Sequence, residues 1–306
     1  MSEAAIAIGG VSRRFGRTVA VDRLSLDVER GEIFALVGPD GAGKTTLIRM
    51  ICGALGLDGG SLRVDGVDVM RETARVQASI GYMPQRFSLY PDLSVMENLR
   101  FYGDIFGISN ARFAERAAML LHEFALERFT DRRADELSGG MKQKLALACT
   151  LIHSPATILL DEPTAGVDPV SRREFWRILY HINRSGTTIL VSTPYMDEAE
   201  RANRVAFMTQ GAILSCGTPA ELKSQLEGDV VEIACAQRGD ARRALRGDPL
   251  VRSVEIFGET LHALVASAGD AIPEMRQRLA AANVTDAALR EIPPSLEDAF
   301  VARLAA

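Results

Sequence analysis

The residues best suited to chemistry stand in one stretch, Gly38-Pro39-Asp40-Gly41-Ala42-Gly43-Lys44-Thr45-Thr46. It fits the pattern Gly-x4-Gly-Lys-[Ser/Thr], a phosphate-binding loop. Glycines let the backbone turn tightly and aim successive N–H groups at phosphate oxygens. A helix beginning at Lys44 would add its positive pole. Lys44 supplies a point charge for the outer phosphates. Thr45 offers a hydroxyl to a magnesium ion held between them. Further along, Asp161 and Glu162 end the apolar run Thr157-Ile158-Leu159-Leu160. Asp161 suits the magnesium shell, and Glu162 can orient and polarise an attacking water. The competing reading has this pair only capping a helix, and the phosphate loop upstream argues against it.

These groups need particular elements to hold them. Ile33-Phe34-Ala35-Leu36-Val37 reads as a buried strand before the loop, and Leu47, Ile48, Ile51 and Leu55 follow it at helical spacing. The run at 157–160 reads as a buried parallel strand, whose carboxyl end is where open sheets bind ligands. Thr187-Thr188-Ile189-Leu190-Val191-Ser192 reads as another such strand. Between residues 94 and 130 the apolar residues recur at helical spacing, as with Phe113, Ala117, Leu120, Leu121 and Phe124, which predicts a helical insertion. Leu137-Ser138-Gly139-Gly140-Met141 then opens a further helix, with Ser138 as its N-cap. Gly139 and Gly140 leave N–H groups uncovered there, a second anion-binding helix end. Gly166-Val167-Asp168-Pro169 starts the next helix, with the proline in its first turn.

Alternating apolar residues at 6–8 and 24–28 predict antiparallel strands ahead of the loop. Phe15, between them, is either a strand-end core residue or an aromatic platform for adenine. Val205-Ala206-Phe207-Met208 and Ala212-Ile213-Leu214 predict a hairpin turning at Gln210-Gly211. The first domain is expected over 1–225, with its helical insertion at about 86–150. A small α+β accessory domain is expected over 226–306, with strands near 230–234, 254–256, 261–266 and 288–292. It carries no motif with chemistry.

The chain has 306 residues, 47% hydrophobic and 25% charged, with a net charge of −5. Such a balance argues against a general nucleic-acid binder. No apolar run approaches the roughly 18 residues needed to span a bilayer. No secretory signal is expected, because Met1-Ser2-Glu3 opens no basic segment ahead of an apolar core. Four scattered cysteines, Cys52, Cys149, Cys216 and Cys235, fit no zinc spacing and are expected reduced.

In this order the motifs resemble the ATP-binding subunit of ABC transporters over about residues 5–222. The resemblance implies an α/β fold: a phosphate-loop ATPase core with an antiparallel β subdomain and a helical insertion. It also implies ATP and Mg2+ as ligands. Lys44, Glu162 and Gln85 become the catalytic set, and Thr45, Gln85 and Asp161 the metal set. Residues 38–46 and Phe15 become nucleotide contacts. Ser138, Gly139, Gly140 and Asp168 serve a nucleotide across a dimer interface, so a second ATP-binding domain is implied, in a homodimer or a heterodimer. Gly81-Tyr82-Met83-Pro84-Gln85 and the ending Pro294-Ser295-Leu296-Glu297-Asp298-Ala299-Phe300 resemble the subfamily serving ABC-2-type multidrug exporters. That implies a membrane permease partner, a place on the cytoplasmic face of the cell membrane, and no nucleic acid.

Three residues depart from the family pattern. Met141 stands where many members have glutamine, and Asp40 where asparagine is frequent. Pro194 stands where the family usually has the histidine that contacts the γ-phosphate, and proline offers neither a side-chain donor nor an N–H. Three functions therefore stay open: an energy-coupling ATPase with weakened hydrolysis, an ATP-holding half of an asymmetric pair, or a non-transport ATPase regulator. The last class usually carries two motif sets, coiled-coil insertions or zinc modules. This chain shows one motif set, no zinc spacing and no basic tract.

Overall fold

Where the sequence is apolar without alternation, the chain forms strands buried on both faces. Every residue of Ile33–Val37, Thr157–Asp161 and Thr188–Thr193 is buried. In the computed structural model, which describes residues 4–86 and 89–305, these strands form the centre of a six-stranded sheet. Its order is 212–217, 204–209, 33–37, 188–193, 157–161, 80–83. The pairings of 33–37 with 188–193 and 204–209, and of 157–161 with 188–193 and 80–83, are all parallel. Register sets Val37 beside Thr193 and Asp161 beside Ser192. The loops starting at Gly38, Glu162 and Pro194 therefore leave the sheet side by side at its carboxyl edge, the mouth at which such sheets bind ligands.

A second, four-stranded sheet contains Ile6–Phe15, Thr18–Val28, Gly59–Val64 and Val67–Asp68 in antiparallel pairs. Its alternating residues Ile6, Ile8, Leu24, Leu26 and Val28 point into the same core as Leu47, Ile48 and Ile51 of the helix Lys44–Ile51. The hairpin joining 204–209 to 212–217 turns at Gln210 (φ 47°) and Gly211 (φ 82°). Two consecutive positive φ values match the twist that tight hairpins need.

The helical insertion comprises Val95–Ile105, Asn110–Glu123 and Gly139–Leu151, with two short 3-10 turns between. Apolar spacing over 98–106 predicts the first of these, and the helix starts three residues earlier, at Val95. Ser94 and Glu97 form a reciprocal capping box at 3.2 and 2.8 Å, which fixes the start. Two helices had no visible signal. Thr73–Ser79 buries only Val76, and Arg238–Leu245 only Ala241 and Leu245. Stripes that narrow leave little periodicity to detect.

The chain divides into compact units at Cys216/Gly217, ahead of the boundary expected at 225. The reason is the helix Pro219–Ser224, which packs on the terminal helix Leu296–Ala305. The second unit is a four-stranded antiparallel sheet, ordered 251–257, 260–265, 229–234, 288–292. Leu245, Met275 and Leu279 of its helices fill the core against Val231, Ile233, Leu261 and Ala263.

Asp298 fastens the terminal helix of this unit. Its Oδ2 accepts from the Ser295 N–H at 2.8 Å and the Ser295 hydroxyl at 2.6 Å, and its Oδ1 pairs with His262 Nδ1 at 2.8 Å. Burial pushes the carboxyl up, but the bonds from His262 and Ser295 outweigh it and hold the group below its ordinary 3.8. A depressed folded value stabilises above the ordinary value, and the stabilisation is lost as pH falls through the folded one. Asp298→Asn should therefore cost about 1–3 kcal/mol at neutral pH, with the deficit shrinking once pH drops below 3.8. Hydrogen exchange of the Thr260–Val265 amides at pH 7 and under acid reads this directly. Equal protection in both proteins at both pH values would sink it.

Candidate functional site

The phosphate loop joins the strand Ile33–Val37 to the helix Lys44–Ile51. Its shape is enforced by neighbouring backbone. A Cβ on Gly38 would lie 2.0 Å from the Met208 carbonyl oxygen, and one on Gly43 2.3 Å from that of Ala20. Gly43 also sits at φ 105° as the residue preceding the helix. Only glycine meets both demands at that position. The Ala42 carbonyl accepts from Gly211 N–H at 2.9 Å, so the hairpin braces the loop.

Lys44 is buried, and its Nζ donates to the carbonyls of Gly38 (2.8 Å) and Pro39 (3.1 Å). The same nitrogen lies 3.3 Å from Glu162 Oε1. The other carboxylate oxygen, Oε2, accepts from Gln85 Nε2 at 2.9 Å. Glu162 adopts φ 49°, a left-handed conformation that costs a non-glycine residue free energy and concentrates at functional positions. Ser192 holds it there: the Glu162 N–H lies 3.0 Å from Ser192 Oγ and 3.1 Å from Ser192 O.

Asp161 is fully buried. Its Oδ1 accepts from Thr45 Oγ1 at 3.1 Å and Ser192 Oγ at 2.8 Å. Burial raises its pKa, the two hydroxyls lower it, and the Glu162 charge raises it again; the net direction is up. Asp161 Oδ2 is buried without a partner. A lone buried oxygen beside a threonine hydroxyl fits the oxygen chemistry of magnesium. Among the described residues no cluster of three or more His, Cys, Asp or Glu could hold a metal alone. An ion here would complete its shell from phosphate and water, as magnesium commonly does.

Residues 40–46, Gln85 and Glu162 line one cleft of about 340 Å3, together with Thr18, Val19 and Ala20. Gly38, Pro39 and Asp161 join the group through the Lys44 and Thr45 contacts given above. The remaining candidates do not line this cleft. Ser138 caps the helix Gly139–Leu151, accepting from Met141 N–H at 3.4 Å. Asp168 caps Pro169–Arg184, accepting from Val170 and Ser171 N–H at 3.0 Å each. Bonds from Ser171 lead in lowering the Asp168 pKa. Both caps lie at exposed helix starts. Phe15 is 49% exposed, with the Arg13 guanidinium 5.1 Å from its ring centroid. That exposure removes the core reading.

Sequence reasoning missed Ser192 and the cleft wall Thr18–Ala20. Ser192 had a visible signal, a polar residue ending a buried apolar run. The wall had none, because Thr18, Val19 and Ala20 reach the loop only through the sheet fold.

A family model described as ABC transporter matches residues 21–165. The chain is 40% identical over 98% of its length to the probable multidrug ABC transporter ATP-binding protein YbhF of Escherichia coli, and spans about half of that protein, 52%. It is 39% identical to the Nod factor export ATP-binding protein I of Paraburkholderia xenovorans, covering 98% of this chain and 97% of the relative. The daunorubicin resistance ATP-binding protein DrrA2 of Streptomyces coeruleorubidus is 35% identical, over 97% and 94%. Among solved structures, an ATP-binding subunit of an ABC transporter superposes with TM-score 0.66 at 28% identity, over 72% of this chain and 92% of that one. A dimeric post-hydrolysis state of the cassette MJ0796 bound to ADP and Pi gives 0.64 at 25%, over 70% and 98%. By sequence and by fold, this chain belongs to the ATP-binding proteins of ABC transporters.

Proposed function

We propose that this chain binds and hydrolyses ATP to energise an export permease of the ABC-2 type. One observation carries the reading: Glu162, on a left-handed backbone, stands 3.3 Å from Lys44 and 2.9 Å from Gln85 at the mouth of the phosphate loop. Loop N–H groups and the helix end take the phosphates. Lys44 neutralises the outer ones, competing for them with its Glu162 contact. Glu162 accepts a proton from, and orients, the attacking water. Gln85 holds the second Glu162 oxygen, so the base has one defined direction. Magnesium, when bound, neutralises phosphate charge, and Thr45, Asp161 and Gln85 are the residues that would hold it.

Ser138, Gly139, Gly140 and Asp168, displayed at helix starts away from this cleft, serve a second ATP-binding domain. Phe15, exposed and paired in register with Thr18 of the cleft wall, is the adenine platform. The relatives named for multidrug, Nod factor and daunorubicin export support an export role, with a permease as partner and a peripheral place on the cytoplasmic membrane face. No helix among the described residues is long and apolar enough to cross a membrane. A cavity of about 210 Å3 lined by Tyr82, Tyr102, Phe106 and His153, beside the strand that leads to Gln85, supports docking of an apolar permease segment there.

Pro194 favours a second reading, in which this site mainly holds ATP and a partner domain turns over faster. It follows Thr193 at the end of a central strand, where it can donate no hydrogen bond.

Four outcomes test these readings. Glu162→Gln should lower magnesium-dependent ATP turnover about 100-fold or more while a fluorescent ATP analogue still binds. Unchanged turnover would remove Glu162 from catalysis. Pro194→His should raise turnover of the purified chain about tenfold; no rise would mean that the proline is compensated. Fast turnover by the chain alone, with no further gain on adding a co-purified second ATPase, would exclude the asymmetric reading. Finally, Phe106→Asp should reduce recovery of the permease when the chain is pulled from membranes, with ATP binding intact.

A further inference from the structure

Glu198 is buried to 1% exposure in a four-residue helix, Met196–Ala199. Buried carboxylates need partners, and its partners are informative. Oε1 accepts from Thr164 Oγ1 at 2.6 Å, and Oε2 from Thr193 Oγ1 at 2.8 Å. Both threonines are themselves buried. Thr164 lies two residues after Glu162, and Thr193 one residue after Ser192 and one before Pro194. Arg172, on the helix capped by Asp168, lies 3.8 Å from Glu198 Oε1, and its guanidinium stacks 4.5 Å from the Tyr195 ring centroid. Thr193 Oγ1 also accepts from Tyr195 N–H at 3.1 Å.

One carboxylate thus binds the segment after Glu162 and the end of the neighbouring strand, and Thr193 in turn holds the segment carrying Pro194 through Tyr195 N–H. The strained Glu162 backbone needs such over-determination. A left-handed non-glycine residue persists only where its surroundings hold it. Ser192 holds Glu162 from its own N–H; Glu198 holds the chain on its far side through Thr164. The same carboxylate fixes the strand end that carries Ser192.

We propose that Glu198 is a positioning residue for ATP hydrolysis: it clamps Thr164 to Thr193 and so keeps Glu162 aimed at the attacking water. The inference rests on Glu162 being the base. The bonds of Glu198 run to Thr164 and Thr193, so it affects the chemical step without affecting binding.

The test uses the full chain, with enzyme in excess over labelled ATP. Glu198→Ala should slow single-turnover hydrolysis about 10–100-fold, the scale of a displaced catalytic group, while affinity for a fluorescent ATP analogue changes less than about threefold. Glu198→Gln keeps an acceptor oxygen and should recover most of that rate; Thr164→Val should mimic the loss. Hydrogen exchange of the Glu162 and Ala165 amides should speed up in Glu198→Ala and Thr164→Val, with the sheet amides of Ile33–Val37 unchanged. Wild-type rate and exchange in Glu198→Ala would overturn the clamp. So would binding and sheet protection falling together with rate, which is what a purely structural role predicts. Should Glu198→Ala fail to fold, Thr164→Val and Glu198→Gln carry the same comparison. Glu162→Gln in parallel separates the two claims. If it hydrolyses like wild type, or if wild type is inert, the proposed base fails; the exchange of Glu162 and Ala165 then still decides whether Glu198 clamps them.

Discussion

A lysine at a helix start and two adjacent carboxylates at a strand end sit buried together, and most of the site's construction answers the cost of putting them there. Burying an ion without partners is prohibitive. Lys44 therefore bonds two loop carbonyls and approaches Glu162; Glu162 takes Gln85; Asp161 takes the hydroxyls of Thr45 and Ser192. These contacts link the loop, the polar segment after 80–83 and two central strands into one network. Like charges on Asp161 and Glu162 oppose one another, which is one reason the Asp161 carboxyl is raised. A cation near Asp161 Oδ2 would relieve that opposition.

The network requires backbones at unusually close approach, and that is where neighbouring sheets matter. Met208 and Ala20, from a strand of the mixed sheet and one of the antiparallel sheet, press their carbonyls onto Gly38 and Gly43. The hairpin at Gln210-Gly211 then hands an N–H to Ala42. The antiparallel subdomain is thus part of the loop's mould. A side chain at Gly38 or Gly43 would push the loop off Met208 or Ala20 and take Lys44 with it.

Much of this was legible. Glycine spacing marked the loop, the run ending in Asp161-Glu162 marked a buried strand, Ser138 announced its helix as a cap, and Pro169 marked the first turn of the next. The architecture followed from the periodicities, because parallel buried strands and amphipathic helices leave different patterns. What was not legible came from non-local packing. Thr18–Ala20 enter the cleft only once two sheets meet. Phe15 could not be placed until its exposure was known. Glu198 reads as an ordinary surface acid in Met196-Asp197-Glu198-Ala199, and only the fold turns it inward to meet Thr164 and Thr193. The helix Arg238–Leu245 was hidden for the opposite reason: its chemistry is nearly all solvent-facing.

Pro194 acquires a clearer meaning in this setting. The strand before it keeps Ser192, which holds both Asp161 and Glu162, and Thr193, which is held by Glu198. The helix after it keeps Glu198 itself. The buried contacts of the Glu162 segment are therefore intact on both sides of the proline, which itself can donate no hydrogen bond. Loss of hydrolysis by drift would be expected to erode these buried supports too, since each costs free energy to maintain when unused. Their presence next to Pro194 supports the proposal that Glu162 acts as the base, with its buried supports left in place by the proline.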